Sequence, residues 1–137
     1  MEHEELTRII IGCAIRVHRA LGPGFLESVY RNALAHELGK AGLEVHCERR
    51  IQVLYDSALV GDFFADMMIQ NSVLIENKAV QALNKAHEVQ LVNYLVATQI
   101  ETGLLLNFGA PRLQFKRKSR VYRPKEDWQD GQDQSVL

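Results

Sequence analysis

The chain has 137 residues, of which 47% are hydrophobic and 24% are charged, and its formal net charge is −1. This length predicts one folded domain with enough apolar residues for a core. The near-neutral charge excludes a polycation, so any affinity for nucleic acid must come from a local patch. The two cysteines lack metal-type spacing, and no segment resembles a signal peptide or a membrane helix. We therefore expect a cytoplasmic protein with no membrane partner.

Two amphipathic helices are predicted first. Apolar residues at i, i+3, i+4 and i+7 predict a helix over 4–20, ended by a Gly-Pro-Gly turn, and a second over about 26–39. His18 lies beside the apolar stripe of the first helix, either as a packing histidine or as a residue near an active site. Glu27 and Tyr30 share a face of the second helix. Glu27 can serve the helix dipole alone, or it can be a functional acid.

Strands follow, and their central feature is an antiparallel hairpin. Alternating apolar residues predict a strand over about 43–55, and the segment 61–80 reads as two apolar runs around a polar turn. If the turn is centred on Asn71, Asp66 on the first run lies directly opposite Glu76 on the second. Such pairs have Cβ atoms about 4.5–5.5 Å apart on one face of the sheet.

Two carboxylates and a lysine are thus expected at the end of this hairpin, because alternation places Lys78 on the face of Glu76. Like charges at such a distance repel, and a divalent cation would relieve the repulsion. Asp66 and Glu76 are hard oxygen ligands for Mg²⁺ or Mn²⁺, and the carbonyl of Asn77 could be a third. Lys78 could then position an attacking hydroxide or stabilise charge on a phosphoryl oxygen. The alternative is an ordinary ion pair between Glu76 and Lys78.

A third helix is predicted over 84–100, where His87, Gln90 and Tyr94 form a polar-aromatic strip at i, i+3 and i+7. The strip serves either local packing or a substrate contact. The continuous apolar run 104–108 predicts a central strand, which the crossover helix would place parallel to the second hairpin strand.

The last predicted strand, 113–122, is basic. Ten residues contain six cations, namely Lys116, Arg117, Lys118, Arg120, Arg123 and Lys125. They are either a solubilising sheet edge or a phosphate-contact strip interleaved with Phe115 and Tyr122. A polar tail, 124–137, is expected to be mobile. The order ααβββαββ indicates an α/β (α+β) domain over 1–123, with a mixed central sheet flanked by helices.

Four motifs in this order resemble the GxxExxY family, small bacterial and archaeal proteins of the PD-(D/E)XK nuclease superfamily. They are the triplet Gly24, Glu27 and Tyr30; Asp66 with Glu76-Asn77-Lys78; the pair Gln90 and Tyr94; and the segment GLLLNFG. The resemblance spans about 4–122 and implies a restriction-endonuclease-like fold. Ala65 stands where the superfamily name has proline, and Asn77 stands where apolar residues are usual.

The resemblance implies a metal-dependent nuclease that hydrolyses nucleic-acid phosphodiester bonds, DNA rather than RNA. It makes Lys78 the catalytic lysine and assigns Mg²⁺ or Mn²⁺ to Asp66, Glu76, Glu27 and the Asn77 carbonyl. The residues that we expect at the substrate are Gln90, Tyr94, Tyr30, His87, Lys116, Lys118 and Arg120. Two alternatives stay open: a non-catalytic module that binds nucleic acid or a partner, and a subunit that needs a partner or a second copy.

Overall fold

Two helices, three strands, a helix and two strands follow one another in residues 2–120, the part of the chain that this computed structural model describes. The predicted order ααβββαββ is confirmed. The elements are α1 (His3–Leu21), α2 (Glu27–Lys40), β1 (Val45–Tyr55), β2 (Ala58–Ile69), β3 (Val73–Lys78), α3 (Lys85–Thr98), β4 (Thr102–Asn107) and β5 (Gln114–Ser119). The tail predicted for 124–137, and the residues Tyr122, Arg123 and Lys125, lie outside the described residues.

The five strands form one mixed sheet in the order β1-β2-β3-β4-β5. Neighbouring strands are antiparallel except β3 and β4, which are parallel because α3 crosses between them. In the β2–β3 hairpin Met67 pairs with Ile75 and Ile69 with Val73, so the turn is centred on Asn71 as predicted. Gln70 and Asn71 have φ values of 55° and 50°, which suit the tight turn of a hairpin.

Helices cover both faces of the sheet. Ile75, Leu104 and Leu106 face α1 and α2, whereas Leu74 and Leu105 face α3, as strand alternation requires. All six residues of β4 are buried, which confirms the predicted central strand. The mixed α/β architecture is that of a restriction-endonuclease-like fold. Among the described residues, none of the helices has the length and apolarity needed to cross a membrane.

The loops after β3 and β4 are tied together by the GLLLNFG segment. Asn107 is fully buried, and its Oδ1 accepts hydrogen bonds from the backbone N–H groups of Val80 and Gly109, both at 3.0 Å. Gly109 lies so close to the other loop that an added Cβ would be 2.4 Å from the carbonyl oxygen of Val80. A residue without a side chain is therefore needed at this position, and the close contact fixes the chain just beyond Lys78.

Replacing Gly109 with Ala should lower the free energy of unfolding by about 1–3 kcal/mol, because the new methyl group meets backbone that cannot rotate away. Gly12 is the matched control, since it lies exposed inside α1 with nothing within 4 Å of an added Cβ. Gly12→Ala should instead stabilise the fold by about 0.5–1 kcal/mol. Urea unfolding followed by circular dichroism measures both. Equal midpoints for the two variants would contradict the packing argument.

Candidate active site

The sheet opens between β2 and β3. The backbone ladder of the two strands extends from Ile69 and Val73 only to Met67 and Ile75, although both strands continue and pair with their outer neighbours, β1 and β4. Beyond the ladder stand Asp66 on β2 and Glu76 on β3. We call this opening, bounded by Asp66 and Glu76, the fork.

Side chains replace the missing ladder bonds at the fork. The backbone N–H of Asp66 donates to Oε1 of Glu76 at 3.1 Å, and the backbone N–H of Asn77 donates to Oδ2 of Asp66 at 3.1 Å. The predicted pair of acids therefore continues the hairpin register, with each carboxylate bonded to the opposite strand. The buried side chain of Asn77 adds a hydrogen bond from Nδ2 to Oδ2 of Asp66 at 2.5 Å.

Negative charge accumulates at the fork. Glu76 is only 8% exposed, and burial raises the pKa of its carboxyl to about 7, with further increases from the charges of Asp66 and Glu27. A hydrogen bond from the Asp66 N–H and the charge of Lys78 oppose this rise without cancelling it. Glu27, Asp66 and Glu76 also line one cavity of about 350 Å³. Three acids from α2, β2 and β3 thus face a common space.

Arg31 is a residue of this cavity that the sequence patterns did not predict. Its Nη1 lies 3.4 Å from Oδ1 of Asp66 and 3.2 Å from Oε1 of Glu48. The sequence does contain an indication of this position, because Arg31 follows Glu27 by four residues and so shares its helix face. Glu48 has a φ of 54°, at the point where charged residues break the apolar alternation of β1. Arg31 therefore neutralises part of the charge at the fork.

Lys78 follows Glu76 by two residues on β3, and its side chain reaches α3. Its Nζ donates to Oε1 of Gln90 at 3.4 Å. Among the described residues no ion pair joins Lys78 to Glu76, so the ordinary ion pair that the sequence allowed is not formed. Tyr94 stacks on Phe63 with ring centroids 4.8 Å apart. Burial and then the charge of Glu76 raise the pKa of the Tyr94 hydroxyl.

Tyr30 is placed in the core and away from any substrate surface. It has no exposed surface, and its hydroxyl donates to the carbonyl of Gly22 at 2.5 Å while accepting the N–H of Phe25 at 3.1 Å. Its ring stacks on Phe108 with centroids 4.7 Å apart. The substrate contact expected of Tyr30 is therefore not available here. Its contacts instead hold the loop that positions Glu27 at the start of α2.

Two histidines also have structural contacts. His87 forms a capping box with Asn84 at the start of α3, since its N–H donates to Oδ1 of Asn84 and its Nδ1 accepts the Asn84 N–H. His18 is buried, and its Nε2 donates to the carbonyl of Ala110 at 2.9 Å. These contacts give both histidines structural roles that do not require a substrate.

Three residues of the predicted basic strip, Lys116, Arg117 and Lys118, lie on β5, which β4 separates from the fork, and Arg120 follows this strand. Nζ of Lys118 lies 2.5 Å from Oε1 of Glu88, and Arg120 is paired with Glu101. Lys116 is exposed. The structure therefore does not bring Lys116, Lys118 and Arg120 to the fork, and two of the three already have carboxylate partners.

The donor set at the fork suits a hard divalent cation, since carboxylate oxygens are the ligands that Mg²⁺ and Mn²⁺ prefer. Burial and the nearby charges of Asp66 and Glu27 disfavour the ionised form of Glu76, and a bound cation would favour it. In residues 2–120, however, no three His, Cys, Asp or Glu side chains converge as a ready metal site. Asp66 has its oxygens engaged by Asn77 and Arg31. The side chains present therefore have the chemistry that such an ion requires, and the carboxylates of Asp66 and Glu76 are its first candidate ligands.

Comparison with known proteins identifies the family. A sequence profile of the PD-(D/E)XK nuclease superfamily matches residues 4–118. The chain belongs to this superfamily. A crystal structure of SSO0001 has a TM-score of 0.54 and 20% identity to the chain, covering 71% of the chain and 52% of SSO0001. The chain thus spans about half the length of that protein, and the likeness concerns the fold alone. A search of curated proteins gave no match.

Membership of the PD-(D/E)XK superfamily agrees with the resemblance drawn from the motifs, and the GxxExxY family itself stays a resemblance. The letters of the superfamily name correspond to Asp66 on β2 and to Glu76-Asn77-Lys78 on β3. Those residues flank the fork. Membership of the superfamily favours nuclease chemistry, and the residues that match its motif lie at the fork.

The raised pKa of Glu76 predicts how stability depends on pH. Its pKa is about 7 in the folded chain against 4.5 ordinarily, so the folded state binds more protons than the unfolded state between these values. Without divalent ions, the free energy of unfolding should therefore fall as the pH rises from about 4.5 through about 7. Glu76→Gln should flatten this decline by up to about 3 kcal/mol in urea unfolding experiments.

Glu88→Gln is the matched control for this pH dependence. A hydrogen bond from Lys118 lowers the pKa of the Glu88 carboxyl, so its proton linkage lies below pH 4.5. Glu88→Gln should leave the decline from about pH 5 to about pH 7 unchanged. A Glu76→Gln protein that keeps the full decline would contradict the assignment to Glu76.

Proposed function

We propose that the chain is a metal-dependent nuclease that hydrolyses phosphodiester bonds of nucleic acid, DNA in preference to RNA. The observation that carries the proposal is the fork, where Asp66 and Glu76 are bonded across the opening and Lys78 follows on the same strand. Superfamily membership supports the reaction class. The preference for DNA rests on the resemblance to the GxxExxY family.

Mg²⁺ or Mn²⁺ would be held by Asp66 and Glu76, with Glu27 and the backbone carbonyl of Asn77 as further donors. When bound, the ion supplies Lewis-acid polarisation of the phosphoryl group. Glu27 is a candidate because it lines the same cavity as the other two acids and raises the pKa of Glu76 by its charge. Asp66 would exchange its contact with Arg31 for the ion.

Hydrolysis requires water to attack phosphorus while the bond from phosphorus to the leaving ester oxygen breaks. Lys78 is suited to donate a hydrogen bond to a phosphoryl oxygen as its negative charge grows, or to orient the water. Gln90 holds the Lys78 ammonium through its amide oxygen at 3.4 Å, which limits the positions that the ammonium visits. Tyr94 lies on the same face of α3, close enough to the fork for the charge of Glu76 to raise the pKa of its hydroxyl.

A second candidate is a binding module that retains the nuclease fold without catalysis. It is favoured by the lack of a converged acid cluster in residues 2–120 and by the engagement of Asp66 with Arg31. Such a module would bind nucleic acid with no carboxylate-dependent affinity for Mn²⁺. The two candidates therefore give opposite results in a metal titration.

Asp66→Asn and Lys78→Ala should each slow DNA cleavage by about 10²-fold or more, because each removes a group that acts on the reacting phosphate. Asp66→Asn should also abolish Mn²⁺ binding, measured by the electron paramagnetic resonance of free Mn²⁺, whereas Lys78→Ala should retain it. Asp62→Asn is the matched control, since Asp62 lies on β2 in an exposed pair with Arg50. Cleavage that survives both fork substitutions would contradict the catalytic assignment.

Arg31→Gln should raise the affinity for Mn²⁺ by about 2- to 10-fold, because it removes a cation that competes for Asp66. Without metal, this variant should unfold at a lower urea concentration than the unaltered protein, because Asp66 and Glu48 lose the positive charge that pairs with them. Arg50→Gln, which breaks the exposed pair with Asp62, controls for the loss of one positive charge. Weaker Mn²⁺ binding by Arg31→Gln would mean that Arg31 supports the ion instead of competing with it.

A further inference from the structure

Another cavity lies between Phe63 of β2 and α3, on the α3 side of the sheet. Its volume is about 690 Å³, within the range of about 300–1,000 Å³ that is typical of ligand sites. One wall is a face of α3 formed by Ala86, Val89, Gln90 and Asn93, which follow one another at helical spacing. Because the side chains of Ala86 and Val89 are small, they leave space for a flat group to lie against the helix.

Two aromatic side chains also line the cavity. Phe63 on β2 and Tyr94 on α3 stack with an interplanar angle of 24°, and both side chains are only partly buried. Stacked rings at the wall of an open cavity offer a surface on which a further ring can pack. Nucleic-acid bases use aromatic side chains in this way, and such stacking tolerates any base because every base has a flat face.

The polar residues of the cavity connect it to the reactive centre. Gln90 lines the cavity and accepts a hydrogen bond from Nζ of Lys78 at 3.4 Å, so this one side chain links the cavity to the lysine of the proposed active site. The amide of Asn93 is one helical turn further along and can bond to the edge of a base. Lys85 at the mouth supplies a positive charge for a neighbouring phosphate.

We propose that this cavity binds an unpaired nucleobase next to the phosphate that is cut. The substrate is then single-stranded nucleic acid, or the single-stranded part of a branched or overhanging duplex. The inference rests on the proposed function, because it uses Lys78 to define the position of the phosphate. A base inside a duplex has both faces stacked and cannot reach Phe63 and Tyr94 without leaving the helix.

The test uses a short oligothymidylate that carries a single 2-aminopurine, with EDTA present so that no metal-dependent cleavage occurs. Binding to the unaltered protein should quench the fluorescence of 2-aminopurine, because the base stacks on the ring pair. Phe63→Leu and Tyr94→Leu should abolish the quenching and weaken binding about tenfold, which corresponds to about 1.4 kcal/mol. A blunt duplex of the same sequence should bind at least about tenfold more weakly than the single strand.

Two variants serve as controls. Tyr94→Phe keeps the ring and should keep the quenching. Phe115→Leu removes an aromatic residue that is 47% exposed on β5, opposite Leu106 and hence on the α1 and α2 side of the sheet, so it should change nothing. Circular dichroism melting establishes that both leucine variants at the cavity are folded. If one of them does not fold, the other still decides the result.

Quenching that persists in the folded leucine variants, or equal affinity for the blunt duplex, would overturn the base site. That result leaves the proposed nuclease intact if Asp66→Asn still abolishes cleavage. Conversely, a protein that shows the quenching but cuts no nucleic acid retains the base site and loses the proposed function. The two hypotheses therefore fail separately.

Discussion

The candidate site depends on the exchange of backbone hydrogen bonds for carboxylate hydrogen bonds where β2 and β3 separate. Buried carboxylates are unfavourable unless donors satisfy them, and here each acid accepts an N–H group from the opposite strand. Those donors became available because the two strands stop pairing with each other. The opening and the acids thus require one another, because the opening exposes N–H groups and the carboxylates of Asp66 and Glu76 accept hydrogen bonds from them.

The position of the fork inside the sheet lets both helical layers reach it. Glu27 and Arg31 approach from α2, whereas Gln90 and Tyr94 approach from α3. In an unbroken sheet the strands would separate these two groups. Asp66 contacts Arg31 of α2, and Lys78 contacts Gln90 of α3. Glu76 is close to both layers, because it lines a cavity with Glu27 and its charge raises the pKa of Tyr94.

The sequence predicted the order of elements and the hairpin register because both follow from short-range patterns. The polar turn at Asn71 and the apolar alternation around it determine where Asp66 and Glu76 stand. Contacts between distant segments were harder to predict. Tyr30 shares a helix face with Glu27, yet it is buried because the ring of Phe108 and the carbonyl of Gly22 meet it there. No local pattern marks such partners. The same holds for Lys118, whose partner Glu88 lies on α3.

The arrangement of positive charge explains why the fork is left with surplus negative charge. Arg31 and Lys78 flank the acids, but each is shared with another group: Arg31 with Glu48, and Lys78 with Gln90. Neither cation therefore neutralises Glu76 fully, and burial keeps the pKa of its carboxyl near 7. Held apart in this way, the cations leave the acids able to accept an additional positive charge from outside the chain, which is what a metal-dependent nuclease needs.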